Sequence, residues 1–264
     1  LRPLCPVHDV HRRRSGHRHS RRACLTRVCA SAQAVYDPDF SISGHFTMAG
    51  SAPWVLSQVQ VVAEAIATVA FALSGVIEGA RKRLDAVGIC VVGGLAAFGG
   101  GTVRDVILDR RPLFWVQHAG WLLALLALCI AAMIFMRARH LEPTERAMQW
   151  PDAIGLGLFT ASGTQIALDG GMPTIVAVLL GMVTAVFGGV LRDVVCNEIP
   201  RAFNDHRPYA ICSFAGGWVL VAAQSVAMPG WVALTVAALV TTGLRAAAVR
   251  WNWHLPAWQA SRGR

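Results

Sequence analysis

Two stretches decide how this chain is read: Gly99-Gly-Gly-Thr-Val-Arg-Asp105 and, 88 residues further on, Phe187-Gly-Gly-Val-Leu-Arg-Asp193. They share Gly-Gly-x-x-Arg-Asp, and each sits within a long apolar block. The same offset, without a gap, aligns Phe71 with Phe159, Ser74 with Ser162, Gly75 with Gly163, Gly93 with Gly181, Ala97 with Ala185 and Pro112 with Pro200. A chain rich in Ala, Gly and Val produces chance identities, but not readily a doubled motif followed by proline at one fixed distance. The spacing predicts an internal duplication.

Outward from the motifs, composition sets the class. Hydrophobic residues make up 55% of the 264 and charged residues 15%, a balance foreign to soluble domains of this length. The apolar residues arrive in seven blocks, roughly 54–77, 86–108, 115–136, 153–169, 172–196, 209–228 and 230–249. Blocks of that kind, rather than short alternations, predict an all-α polytopic membrane protein of seven transmembrane helices and argue against a barrel. Most are long enough for a ~30 Å hydrocarbon core at ~1.5 Å per residue. The fourth is short, ending at Asp169-Gly170-Gly171, and the second, fifth and seventh contain charge. Trp54, Trp115, Trp121, Trp150, Trp231 and Trp251 fall near block ends, where an amphipathic ring sits best; Trp218 does not.

The duplication then acquires a geometry. Repeat 1 covers 54–136, repeat 2 covers 152–228, and a seventh helix at 230–249 lies outside both. Each unit has three spans, so the second copy enters the membrane from the opposite side, as an inverted repeat. Basic residues cluster in the first, third and fifth connections (Arg81, Lys82, Arg83; Arg137, Arg139, Arg146; Arg201, Arg207) and after the last span (Arg250, Arg262, Arg264). The second connection has Arg110 and Arg111, and the fourth and sixth have none. The positive-inside rule thus places the N-terminus outside and the C-terminus, with a tail over 251–264, in the cytoplasm.

The formal charge of +9 does not point to nucleic acid. Eight of the 24 basic and three of the 15 acidic residues precede Met48, so the remainder carries +4. Residues 1–47 are rich in Arg and His and hold no apolar run of signal-peptide length; they read as a disordered basic leader or a misassigned start. Cys90, Cys129, Cys196 and Cys212 lie in or at the ends of apolar blocks without paired spacing, as small buried hydrophobes.

The motifs carry the chemistry. Adjacent glycines each cost about 1 kcal/mol of helix propensity against Ala, so Gly99, Gly100 and Gly101, and Gly188 and Gly189, predict a bend or break in two helices. A break would free carbonyls for a dehydrating cation; the plainer alternative is close helix contact. Arg104-Asp105 and Arg192-Asp193 follow, and an intramembrane ionisable pair needs water or a partner. Neighbours at i and i+1 do not face each other on a helix, so each Arg is expected to find its carboxylate elsewhere, with the other repeat a candidate. The charges then either bridge the halves or line the mouths of a path. Ser74-Gly75 and Ser162-Gly163 occupy equivalent places in the first helix of each unit, as pathway or packing positions. Glu64 aligns with Asp152 and is a candidate partner for a motif Arg, and His118 reads as interfacial. No Walker lysine, metal-ligand spacing or nucleophile elbow is present, so no enzyme chemistry and no cofactor is expected.

Phe71-Ala-Leu-Ser-Gly75, Arg81-Lys-Arg-Leu-Asp85, Gly99-Gly-Gly-Thr-Val-Arg-Asp105 and Pro112-Leu-Phe-Trp115 together resemble the prokaryotic trimeric intracellular cation (TRIC) channels, a family also catalogued as a bacterial glycine-transporter domain. The resemblance covers about 54–249. It implies a homotrimer in the lipid bilayer with a pore in each protomer, kinked second and fifth helices at Gly99, Gly100, Gly101, Gly188 and Gly189, and passive conduction of monovalent cations, chiefly potassium. Phe187 replaces the first glycine of the second motif, which implies a milder break there. A secondary transporter of a small amino acid such as glycine and a non-conducting scaffold are the other readings, and the residues alone do not separate the three.

Overall fold

The computed structural model describes residues 53–117, 119–138, 144–204 and 208–253. The leader over 1–47, His118 and the basic residues Arg139, Arg207, Arg262 and Arg264 lie outside that set. Residues Met48–Arg264 form one compact unit.

The described residues are all helical apart from turns and short connections. Seven helices are long: α1 Pro53–Arg81, α2 Ala86–Ile107, α3 Ala119–Ala138, α4 Glu145–Asp169, α5 Thr174–Val195, α6 Ala210–Ser225 and α7 Gly230–Arg250. Single turns at Phe114–Gln117 and Arg201–Asn204 follow α2 and α5. Five of the long helices (α1, α2, α3, α5 and α7) are long and apolar enough to cross a membrane, while α6 is apolar but only 16 residues long. The start of α4 is polar, Glu145-Arg-Ala-Met-Gln149, which dilutes an otherwise apolar helix.

Local chemistry sets the ends of these helices. Asp85 caps α2 by accepting the Gly88 N–H at 2.7 Å, and Thr144 caps α4 by accepting that of Ala147 at 3.2 Å. The other ends repeat with the sequence. After α1 and α4, Arg83 and Gly171 adopt positive φ, and the following N–H closes a Schellman turn: Leu84 to Gly79 at 3.0 Å, Met172 to Ala167 at 3.1 Å. After α2 and α5, Asp109 and Asn197 do the same, with Arg110 bonding Asp105 at 2.8 Å and Glu198 bonding Asp193 at 2.9 Å. Asp and Asn tolerate this left-handed conformation better than most residues. Both motif helices therefore stop in the same way just past their Arg-Asp.

The two units meet about a pseudo-two-fold axis. The equivalent rings of Phe71 and Phe159 stack on each other, centroids 5.6 Å apart. Reciprocal contacts flank them. A Cβ on Gly100 would run into the Thr184 carbonyl oxygen, and one on Gly188 into that of Ala96, with Ala96 and Thr184 also 88 residues apart. Gly100 thus faces Thr184 while Ala96 faces Gly188, so α2 and α5 cross antiparallel, and the contacts Phe71–Phe159 and Gln60–Asp169 show the same for α1 and α4. The inversion expected from three spans per copy is present in the contacts.

Candidate functional site

The motif glycines do not break their helices. α2 runs unbroken from Ala86 to Ile107 and α5 from Thr174 to Val195, which corrects the break, though not the bend, among the two expected alternatives. The reason is steric. At Gly100 and Gly188 the missing side chains let backbone approach backbone, and the stability of that contact outweighs the helix propensity the glycines forgo. Gly99 makes room for Leu191, Gly101 for the Phe114 ring, and Gly189 for the Tyr209 hydroxyl and the Arg192 guanidinium. Gly75 lies against Gly93, and Gly163 against Thr184 and Gly181.

Each motif ends in a buried arginine held by two carboxylates. In repeat 1, Arg104 donates from Nε to Asp105 Oδ1 at 2.9 Å and from Nη1 to Glu64 Oε1. Asp105 Oδ2 accepts the Phe114 N–H at 3.1 Å. In repeat 2, Arg192 donates from Nε to Asp193 Oδ1 at 2.9 Å and from Nη1 to Asp152 Oδ1 at 2.7 Å. Asp193 Oδ2 accepts the Arg201 N–H at 3.0 Å. The Schellman turns explain the last pair of bonds, since they return the chain so that a backbone N–H meets the motif Asp.

This corrects a second expectation. Each arginine pairs with its own neighbour in sequence and with the first helix of its own repeat. The i, i+1 argument treats side chains as radial, whereas arginine's flexible stem folds its guanidinium over the adjacent carboxylate. One bond does cross between repeats: Arg192 Nη1 donates to Ser74 Oγ at 2.8 Å. The equivalent hydroxyl, Ser162 Oγ, is buried without a hydrogen-bond partner among the described residues, although its place in α4 matches that of Ser74 in α1.

The sites lie at opposite ends of the bundle. We call end A the one where α1 begins and α2 finishes, and end B the other. An open cavity of about 510 Å³ adjoins the end-A site, lined by Glu64, Thr68, Asp105, Arg110, Arg111 and Trp121 among others. A neighbouring one of about 380 Å³ includes Gln60, Arg110 and Asp169. The Glu64 side chain keeps 18% of its surface exposed, against 4% for Asp152 at end B. End B is more closely packed: Tyr209, at the position equivalent to Trp121, is buried and stacks on the Arg245 guanidinium at 4.6 Å.

End B also carries an ion-pair network around Glu78 and Arg201, whose equivalents at end A are Ile166 and Leu113. Fully buried Glu78 accepts from Arg81 at 2.8 Å and from Arg201 at 3.3 Å. Glu198 pairs with Lys82 and with Arg81 at 3.2 Å. Burial works to raise the Glu198 carboxyl, but the Lys82 hydrogen bond and the charges of Arg81, Lys82 and Arg201 outweigh it and hold it below the ordinary carboxylate range.

Sequence reasoning had not singled out Glu78, Arg201, Tyr209 or Arg245. Arg245 was legible in principle as a lone ionisable residue inside an apolar block, and Glu78 as a carboxylate just past the end of one. Tyr209 was not, because a block-end tyrosine reads as interfacial.

With this geometry in view, comparison with known proteins is informative. A family model described as "Glycine transporter" matches twice, over 61–139 and 149–225, the second match beginning 88 residues after the first. The UPF0126 inner membrane protein YadS of Escherichia coli K12 is 34% identical over 196 residues, covering 72% of this chain and 92% of that protein. A UPF0126 membrane protein of Vibrio cholerae is 32% identical over 193 residues, covering 72% of this chain and 78% of its own length. Among solved structures, the trimeric intracellular cation channel orthologue from Rhodobacter sphaeroides aligns with a TM-score of 0.69 at 31% identity, over 74% of this chain and 99% of that one. A second TRIC cation channel aligns at 0.67 and 31%, over 76% and 98%. Relatives named as inner membrane proteins, together with the apolar helices, make this a multi-pass protein of the plasma membrane. The chain belongs to the glycine-transporter, or UPF0126, family of bacterial membrane proteins and has the fold of the prokaryotic TRIC channels.

Proposed function

We propose that this protein is a passive, potassium-selective cation channel with one pore inside each protomer of a homotrimer. The observation that carries the reading is the pair of arginine–carboxylate triads at opposite ends of the α2–α5 crossing. Each triad holds one guanidinium against two carboxylates, Glu64 and Asp105 at end A, Asp152 and Asp193 at end B. With its groups ionised, each carries a net negative charge, which concentrates cations at the mouth of a path. The named activity of the structural neighbours, cation conduction, supports the same reading.

In this proposal all seven long helices cross the membrane, with end A outside, the N-terminus outside and the C-terminus in the cytoplasm, as the basic residues at end B favour. Gly99, Gly100, Gly101, Gly188 and Gly189 thin the wall where α2 and α5 cross, Ser74, Gly75, Ser162 and Gly163 line the adjoining faces of α1 and α4, and Arg104, Asp105, Arg192 and Asp193 set the potential of the mouths. No catalytic role and no bound cofactor enters.

Glycine transport is the second reading, favoured by the family's description and by a cavity at end A lined by both acidic (Glu64, Asp105, Asp109) and basic (Arg110, Arg111) side chains, suited to a zwitterion. Purified protein in liposomes separates the two. A channel gives fast potassium flux with no coupling gradient, whereas saturable glycine exchange without potassium flux overturns the channel. Absence of both leaves a scaffold.

A further inference from the structure

The two triads are equivalent in sequence but unlike in state. At end B, Arg192 binds Asp152 and the Ser74 hydroxyl of the other repeat, and the site is closed over. At end A, Arg104 binds Glu64 and Asp105 with no serine, Glu64 faces an open cavity, and Ser162, the counterpart of Ser74, is wholly buried with its hydroxyl unsatisfied. The Ser74 hydroxyl donates to the Phe71 carbonyl of its own helix at 3.0 Å and accepts from Arg192 at 2.8 Å; a buried hydroxyl that makes neither bond is costly, and the twin's bond that crosses between repeats identifies the missing partner there. That partner is Arg104.

We infer that Ser74 and Ser162 are positioning residues of a two-state gate, in which Arg192–Ser74 closes end B and Arg104–Ser162 closes end A. The described structure holds the first bond and lacks the second, so it is the state open at end A and shut at end B. A conducting path needs both ends open at once: there Arg192 releases Ser74 while Arg104 stays on its carboxylates, and the pseudo-two-fold axis supplies the converse shut state, with Arg104 on Ser162 and end A closed. Side-chain chemistry favours the observed state. Glu64 is one methylene longer than Asp152 and reaches Arg104 from the cavity wall, while the network of Glu78, Arg81, Glu198 and Arg201 braces end B through the Arg201 N–H on Asp193. The inference rests on reading the two triads as the ends of one path.

Val61 and Gln149 occupy equivalent positions, 88 residues apart; Val61 lines the end-A cavity with 54% of its surface exposed, and Gln149 is buried one turn before Asp152 of the end-B triad. Val61→Cys and Gln149→Cys, made singly in the full chain in lipid nanodiscs, report the two ends by labelling with a charged thiol reagent, located by peptide mass. The expected pattern is fast labelling at 61 and slow at 149. Adding Ser74→Ala removes a bond to a charged donor at end B alone, and should speed labelling at 149 about tenfold and leave 61 fast. Adding Ser162→Ala should leave 149 slow and 61 fast. If Ser74→Ala leaves the ratio unchanged, or the two serine substitutions move it the same way, the gate is overturned. Potassium flux through the unsubstituted protein is measured alongside, and its absence overturns the channel whatever the labelling shows.

Discussion

At the residue scale, the glycines separate into those that the packing requires and those it does not. A Cβ at Gly100 would collide with a carbonyl oxygen of a facing helix that has no freedom to rotate away, whereas one at Gly243 would meet nothing within 4 Å. Gly100→Ala should therefore destabilise the protein by ~1–3 kcal/mol through overpacking, and Gly243→Ala should be neutral or stabilising by up to ~1 kcal/mol through helix propensity. Thermal unfolding in detergent compares them directly. A similar contrast applies to the carboxylates. Asp152→Asn takes an anion from a closed site and should cost ~2–3 kcal/mol, while Glu64→Gln, beside water, should cost under ~1 kcal/mol. Equal losses would mean that end A is as closed as end B. The kinship of Glu64 and Asp152 was legible in the 88-residue alignment, as was the candidacy of Glu64 for a motif arginine. The pairing of each Arg with its adjacent Asp was not, because it depends on the turn that follows, which brings the Phe114 and Arg201 N–H groups onto the far oxygens.

At the scale of elements, the positions of the helices were legible because apolar length is a strong signal in lipid. Their continuity was not. Glycine propensity is a local quantity, and a backbone contact made across the bundle overrides it at Gly100 and Gly188. The connection after α5 is tied to α1 by charge, and there pH has a definite effect. Glu198 titrates lower in the folded protein than in the unfolded chain, so its contribution to stability is complete above the ordinary glutamate pKa of about 4.3 and fades as pH falls through the lower folded value. Between pH 6 and pH 3 the melting temperature should drop further in the unsubstituted protein than in Glu198→Gln, and added salt should narrow the difference because Glu198, Lys82 and Arg81 are partly exposed. Parallel curves for the two proteins would show that the pairs around Glu198 add nothing to stability.

At the scale of the whole molecule, the inverted repeat argues for where a pore must be. On the proposed reading both halves of the path, α2 with Arg104 and α5 with Arg192, come from one chain and cross within it, so a complete route needs no second copy. In a homotrimer that predicts three independent pores, and the dependence of flux on defective subunits tests it. Gly188→Leu drives a side chain into the Ala96 carbonyl and should silence its own protomer. When silent and intact subunits are co-expressed with different tags in equal amounts and reconstituted, independent pores leave about half the flux. One central pore needing three intact subunits leaves about one eighth, since random assembly makes all-intact trimers that rare. Flux falling in direct proportion to the silent fraction supports a pore in each protomer. A cubic fall would move the path to the trimer axis, and the two triads would then be structural ties between α1 and α2 and between α4 and α5.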